Sequence, residues 1–220
     1  MNKAAPYDYF YTKVMDLSVW ICTNILRFGK YENESIIKFA AADKKSNVLD
    51  YGCNTGRHAL NVKQAYGYNV MGADINPAAI SVAQRKGIPA ELITPKFFEK
   101  YKFSFDIIIN SHVLEHVDDP KDFLVNIRGL LKEDGTFVIA IPQERIRGDI
   151  TPLQILYFLS RLKFENPHKR KISKDQLFTL LKEAGFVPQD YIFCNLLPPF
   201  LTKHLLYLTS RSLVVKCTKN

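Results

Sequence analysis

The chain has 220 residues, of which 47% are hydrophobic and 24% charged, with a formal net charge of +8 and a sequence pI near 9.2. This composition excludes disorder, collagen and coiled coil, and it leaves enough apolar residues for a full core. Residues 1–144 hold 17 Lys/Arg against 17 Asp/Glu, whereas residues 145–220 hold 13 against 5, so the whole positive excess sits in the last third and points to an anionic partner there.

Residues 1–45 read as an N-terminal helical segment. Its part 5–28 carries Tyr7, Tyr9, Phe10, Tyr11 and Trp20 and is a candidate lid, or a helix that covers the sheet. The first 13 residues contain no apolar run followed by small residues, so no secretory signal is expected. Residues 46–142 alternate strand and helix. Strands are expected over 47–51, 68–74, 90–93, 105–110 and 136–141, and helices over 56–66, from Pro77, and from Pro120 to 131. Asn76 and Asp119 each precede a proline, the pairing of an N-cap with an N1 residue that needs no N–H. Asp134–Gly135 reads as a turn.

Residues 143–172 interrupt the rhythm with a basic and apolar insertion. Residues 173–220 then supply a helix opened by the capping box Ser173-Lys-Asp-Gln176, and two final strands over 186–194 and 213–217. Short strands alternating with helices predict a single α/β domain, a doubly wound and mostly parallel sheet with helices on both faces. The uncharged stretches 150–160 and 191–202 are too short to span a bilayer. Cys22, Cys53, Cys194 and Cys217 form no CxxC pair, so a reduced cytoplasmic protein is expected.

The stretch most informative about chemistry is Val48-Leu-Asp-Tyr-Gly-Cys-Asn-Thr-Gly56: a hydrophobic strand, an acid, a glycine loop, then a helix. Glycines at that turn let backbone approach a ligand closely. Asp50 falls at the carboxyl end of the first strand and Asp74 at the end of the second, where an acid accepts hydrogen bonds from ribose hydroxyls. The spacing Gly52-x-x-x-Gly56 lacks the GxGxxG fingerprint of a dinucleotide site, and no GxxxxGK[ST] loop occurs. A nucleoside without a diphosphate is the expected ligand. His112-Val-Leu-Glu-His116 matches a zinc-protease pattern, but it follows a buried strand and is closed by a new helix cap at Asp119, which argues against that chemistry.

These motifs resemble those of the class I S-adenosylmethionine-dependent methyltransferases. VLDYGCNTG is similar to that family's first motif, MGADIN to its second, FDIIINSHVLEHVDDP to its fourth and LLKEDGTFVIAIP to its strand-five motif. NPHKRKISKDQLFTLLKEAGF is similar to a stretch of the small-molecule branch that includes the ubiquinone O-methyltransferases, and the likeness runs over roughly 30–194. The resemblance implies a seven-stranded sheet with an antiparallel last strand and S-adenosyl-L-methionine as cofactor. It implies that Asp50, Gly52, Cys53, Asn54 and Gly56 lie at the methionine end, that Asp74 holds the ribose and Ile75 packs on the adenine. Asn110 and Ser111 would face the methionine or the acceptor, and His116 or His112 would deprotonate an acceptor hydroxyl.

Asn54 departs from the family by replacing a glycine, although a short polar residue tolerates left-handed φ. Thr94 and Pro95 occupy the place of an acid after strand three, which leaves the adenine amino group a backbone partner only. We expect no metal, although His112, Glu115 and His116 carry donor atoms. The apolar segments edged by cations in 5–28, 143–172 and 195–210 suit a small-molecule or lipid-like acceptor such as a lipid, a quinone or a lipid-linked glycan. They equally suit peripheral contact with an anionic membrane, or a homodimer. Nucleic acid is not expected: no RNA-binding module is recognisable, and Asn110-Ser-His-Val replaces the Asn-Pro-Pro-Tyr type of base-methylating motif. RNA methylation and a non-catalytic, cofactor-binding scaffold stand as the alternatives.

Overall fold

In the computed structural model of the chain, residues 29–41, 45–143, 170–194 and 212–220 are described, with Lys13 and Leu17. The elements in chain order are α1 (Lys30–Phe39), β1 (Asn47–Tyr51), α2 (Arg57–Tyr66), β2 (Asn69–Asp74), α3 (Pro77–Arg85), β3 (Ala90–Leu92), α4 (Pro95–Lys100) and β4 (Phe105–Ser111). A 3-10 turn (Leu114–His116), α5 (Pro120–Leu130), β5 (Leu131–Pro142), α6 (Lys174–Glu183), β6 (Phe186–Cys194) and β7 (Ser212–Lys219) complete the order. The strands form one seven-stranded sheet in the order β3-β2-β1-β4-β5-β7-β6. All neighbours from β3 to β5 run parallel, and β7 is antiparallel to both β5 and β6, as expected.

Alternate strand residues face opposite layers. Leu49, Ile108, Phe137, Ile139 and Val215 pack with Leu124, Ile127 and Leu130 of α5 and with Leu177 and Leu181 of α6. Val48, Val70, Ile107, Ile109 and Val138 pack with Ile36 and Phe39 of α1 and with Ala59 and Val62 of α2. Residues 107–109 are thus consecutive isoleucines, each at most 1% exposed, because both faces of the sheet are covered. Burying each such side chain contributes about 1.5–3 kcal/mol.

Local chemistry sets the helix starts. Asn76 Oδ1 accepts from Ala78 N–H at 3.0 Å, and Asp119 Oδ1 accepts from Lys121 and Asp122 N–H at 2.9 and 3.0 Å. In the capping box, Ser173 Oγ accepts from Gln176 N–H while Gln176 Oε1 accepts from Ser173 N–H.

Two elements depart from the sequence reading. Pro95 starts α4, a helix of six residues that buries Phe97 and is too short to carry a periodic pattern. The fifth strand begins at Leu131 rather than 136. Leu131 pairs with Phe105 and Thr136 with Ile107, so the expected turn at Asp134–Gly135 is a bulge within β5. No helix among the described residues is long and apolar enough to cross a membrane. Most of 5–28 and 143–172, all of 195–210, and Cys22 lie outside the described residues, as do the acceptor-face, membrane-contact and dimer expectations that rest on them. Among the described residues Cys53, Cys194 and Cys217 are free and buried.

Candidate functional site

The sheet order reverses between β1 and β4, so the crevice beyond their carboxyl ends is where an open α/β sheet receives a ligand. The loop after β1 crosses that crevice in an unusual backbone. Gly52, Asn54 and Gly56 have φ of 78°, 47° and 78°, so Asn54 adopts the left-handed conformation in the place of a glycine. Gly52 and Cys53 N–H both donate to Ala73 O, at 2.8 and 3.0 Å, which pins the loop to the end of β2. A Cβ on Gly52 would fall on the side chain of Val113, and one on Gly56 would come within 3.2 Å of Ala83 Cβ in α3. The Cys53 side chain points away from the crevice. It packs with Ile80, Ala83 and Ala90 and fills the space a side chain on Gly72 would need, and burial pushes its thiol up.

Both predicted carboxylates lie beside this loop with different tasks. Asp50, 1% exposed, accepts from Ala59 N–H at 3.0 Å and so satisfies a donor of the first turn of α2. Burial pushes its carboxyl up to about 7, against the pull of the Ala59 N–H and of Arg57 and with the help of Asp74. Asp74 is half-buried. Its Oδ2 accepts from Asn54 N–H at 2.8 Å and its Oδ1 from Asn76 N–H at 2.9 Å, so this one side chain joins the glycine loop to the start of α3. Burial raises Asp74, opposed by those backbone donors. Beside it Ile75 is 68% exposed, an apolar surface at the strand end.

The end of β4 brings the other predicted residues to the same crevice. Asn110, fully buried, donates from Nδ2 to Tyr51 O at 2.9 Å, while its Oδ1 has no hydrogen-bond partner among the described residues. Ser111 Oγ is likewise buried without one. His112 has φ of 56°. Its Nε2 lies 3.0 Å from Glu32 Oε2 and its Nδ1 3.5 Å from Glu115 Oε1. Burial works against the charged ring, but the carboxylates of Glu32 and Glu115 overcome it and hold His112 well above its ordinary value. His116 Nε2 is 4.0 Å from Glu115 Oε1, and its side chain is 30% exposed.

The sequence reading missed Glu32, 80 residues before His112 in the chain. Its signal was an acid on the face of α1 that also carries Ser35, Ile36 and Phe39, all buried. His58 was missed too. It is 8% exposed, burial pushes it down, and its Nε2 lies 2.8 Å from Arg57 Nη2. Among the described residues no group of three or more His, Cys, Asp or Glu converges as metal ligands would. A separate cleft of about 490 Å³ opens at the other end of the strands, beside Asn47, Asn69 and Phe105, and shares no residue with this site.

The chain matches a family model described as a methyltransferase domain over residues 25–190. It is 29% identical over 157 residues to a ubiquinone biosynthesis O-methyltransferase of Roseobacter denitrificans, covering 67% of this chain and 62% of that protein. The chain thus spans about six tenths of the length of the curated relative. A TehB-like SAM-dependent methyltransferase from Corynebacterium glutamicum superposes with a TM-score of 0.64 at 17% identity, covering 97% of this chain and 100% of that one. The [4+2]-cyclase SpnF superposes with a TM-score of 0.66 at 15% identity, over 88% of this chain and 82% of that one. The fold is therefore shared with a protein named for a different reaction, and the chemistry has to be argued from the site.

Proposed function

This chain belongs to the class I S-adenosylmethionine-dependent methyltransferase family, and from that premise we propose that it transfers the methyl group of S-adenosylmethionine to a small-molecule acceptor by in-line displacement. The acceptor class we propose is amphipathic, a quinone precursor first, with other lipids or a lipid-linked glycan after it. The observation that carries the reading is Asp74, set at the crevice end of β2, bonded through Oδ2 to the glycine loop and flanked by exposed Ile75.

The residues present fit this cofactor. The Asp74 oxygens take the N–H groups of Asn54 and Asn76, with Ile75 N–H a weaker third, and a carboxylate with about four acceptor sites still retains capacity for a ribose hydroxyl. Ile75 offers apolar surface to the adenine. Gly52, Asn54 and Gly56, with the Cys53 backbone, offer close approach to the methionine end, and Asp50 beneath them holds the first turn of α2 in place through Ala59 N–H. The unpartnered Asn110 Oδ1 and the Ser111 hydroxyl take up donors of the ligand.

When bound, this cofactor supplies a methyl group already activated by its sulfonium. The chain then has to align the acceptor and exclude water, and positioning alone contributes about 7–11 kcal/mol to lowering the barrier. His116 is our candidate to take the acceptor's proton. His112 is the weaker candidate, because its Nε2 is engaged by Glu32 at 3.0 Å with the Glu115 carboxylate 3.5 Å from Nδ1, and an imidazolium held charged by two carboxylates has no lone pair to accept a proton. The last third of the chain, net positive, would meet the acceptor or a membrane surface rather than the methyl donor. Among the described residues of that third, Lys219 Nζ lies 3.0 Å from Glu133, Lys174 sits over the Tyr191 ring at 4.7 Å, and Arg170 Nη2 donates to Asp118 O at 2.7 Å.

The test is incubation with S-adenosylmethionine carrying an isotopically labelled methyl and a polyprenyl catechol, with products read by mass spectrometry. The expected result is a labelled mono-methyl ether. His116→Ala should lower its rate of formation about 100-fold while leaving affinity for S-adenosylhomocysteine unchanged. An undiminished rate in that variant would remove His116 from the mechanism.

A further inference from the structure

Helix α1 meets the 112–116 turn through Glu32. Glu32 is 7% exposed and lies 3.0 Å from His112 Nε2; against that burial, the His112 ring and the Ser212 side chain of β7 beside it hold its carboxyl well below the usual range. On the other side of the same ring is Glu115, 1% exposed, 3.5 Å from Nδ1, with neither oxygen hydrogen-bonded among the described residues. Arg57 and the buried His58 of α2, the latter pushed down and so neutral, complete the surroundings. The imidazole is thus a cation between two buried anions from separate parts of the chain, and removing it would leave those anions facing each other without a counter-charge.

The backbone at His112 is also out of the ordinary. Its φ of 56° is sterically unfavourable for a residue with a Cβ, while its N–H continues the ladder to Ala140 O at 2.9 Å. The neighbour Val113 fills the space over Gly52 that a glycine Cβ would occupy. Glu32 and Glu115 grip the ring, the ring holds the turn, and the turn covers the glycine loop.

We propose that His112 is a positioning residue: clamped between Glu32 of α1 and Glu115, it fixes the 112–116 turn over the Gly52 loop and so couples helix α1 to methyl-donor binding. This rests on the proposed function, because the affinity it governs is that for S-adenosylmethionine.

The probe is S-adenosylhomocysteine, titrated calorimetrically into the full chain. His112→Asn retains a residue that tolerates left-handed φ but removes the cation, and it should weaken binding by about tenfold or more. Glu32→Gln keeps the ring but weakens its tie to α1, and it should weaken binding by about threefold or more. Because the two side chains act through one contact, the double variant should bind no more weakly than His112→Asn, whereas separate structural roles would make the two losses add. The proposal is overturned if His112→Asn or Glu32→Gln binds as tightly as the unmodified chain, or if the two losses add. Should His112→Asn fail to fold by circular dichroism, Glu32→Gln decides: weakened binding supports the clamp and unchanged binding contradicts it. Absence of binding by the unmodified protein sinks the methyltransferase reading itself, whereas binding indifferent to Glu32→Gln sinks only the clamp.

Discussion

Replacing Gly52 with alanine should lower the melting temperature by about 5–15 °C and remove most affinity for S-adenosylhomocysteine. Two costs add. The residue sits at φ of 78°, where a Cβ meets the following carbonyl at a cost of about 1–2 kcal/mol. That Cβ also falls on Val113, and overpacking of this kind costs about 1–3 kcal/mol more. Relief comes only by shifting the 112–116 turn, which lies over the loop that the methyl donor must approach. Gly129→Ala is the control. Gly129 lies in α5, has no positive φ, and a Cβ there meets nothing within 4 Å, so that substitution should be neutral or stabilising by about 1 kcal/mol. Thermal denaturation of both variants, with calorimetry for the ligand, decides the matter. Equal melting temperatures for the two would show that the loop is not held in this conformation.

Asp74→Ala should weaken S-adenosylhomocysteine binding by about 1–3 kcal/mol, roughly 5- to 150-fold, with a much smaller loss of stability. The ligand loses the acceptor of its ribose hydroxyls, and the loop loses the tie from Asn54 N–H to Oδ2. The stability effect is smaller because the Asn54 bond is solvent-exposed, so water satisfies that donor, and only the partly buried Asn76 N–H is left to find a new partner. Asp74→Asn is a sharper variant. It restores one acceptor oxygen but turns an NH₂ toward either the Asn54 or the Asn76 N–H, so it should recover only part of the lost affinity. Unchanged affinity in Asp74→Ala would remove the ribose assignment.

Features that depend on neighbours in the chain are legible in the sequence alone. The cap-plus-proline starts at Asn76–Pro77 and Asp119–Pro120, the Ser173 capping box, and the isoleucine strand β4 follow from local chemistry and appear as read. The glycine loop was legible because few residues other than glycine and asparagine accept its φ angles. What escaped depends on distance or on brevity. Helix α4 is only six residues long, and the β5 bulge exists because two strands pair across a register shift. Asp50 was read as a ligand group, but a bond to Ala59 nine residues on gives it a structural task as well. The Glu32–His112 contact joins residues 80 apart, and only the folding of α1 against the end of β4 brings them together. The net charge of +8 bore least on the methyl-donor site, since it belongs to the last third of the chain and the site lies in the neutral part.

The central claim is that the crevice beyond β1, β2 and β4 takes S-adenosylmethionine, and thermal shift against a ligand panel tests it most directly. S-adenosylmethionine and S-adenosylhomocysteine, each at about 100 times its dissociation constant, should stabilise the protein by about 2.7 kcal/mol, and NAD and NADP should leave it unchanged. Stabilisation by NAD or NADP, with no response to either sulfur nucleoside, would contradict the account.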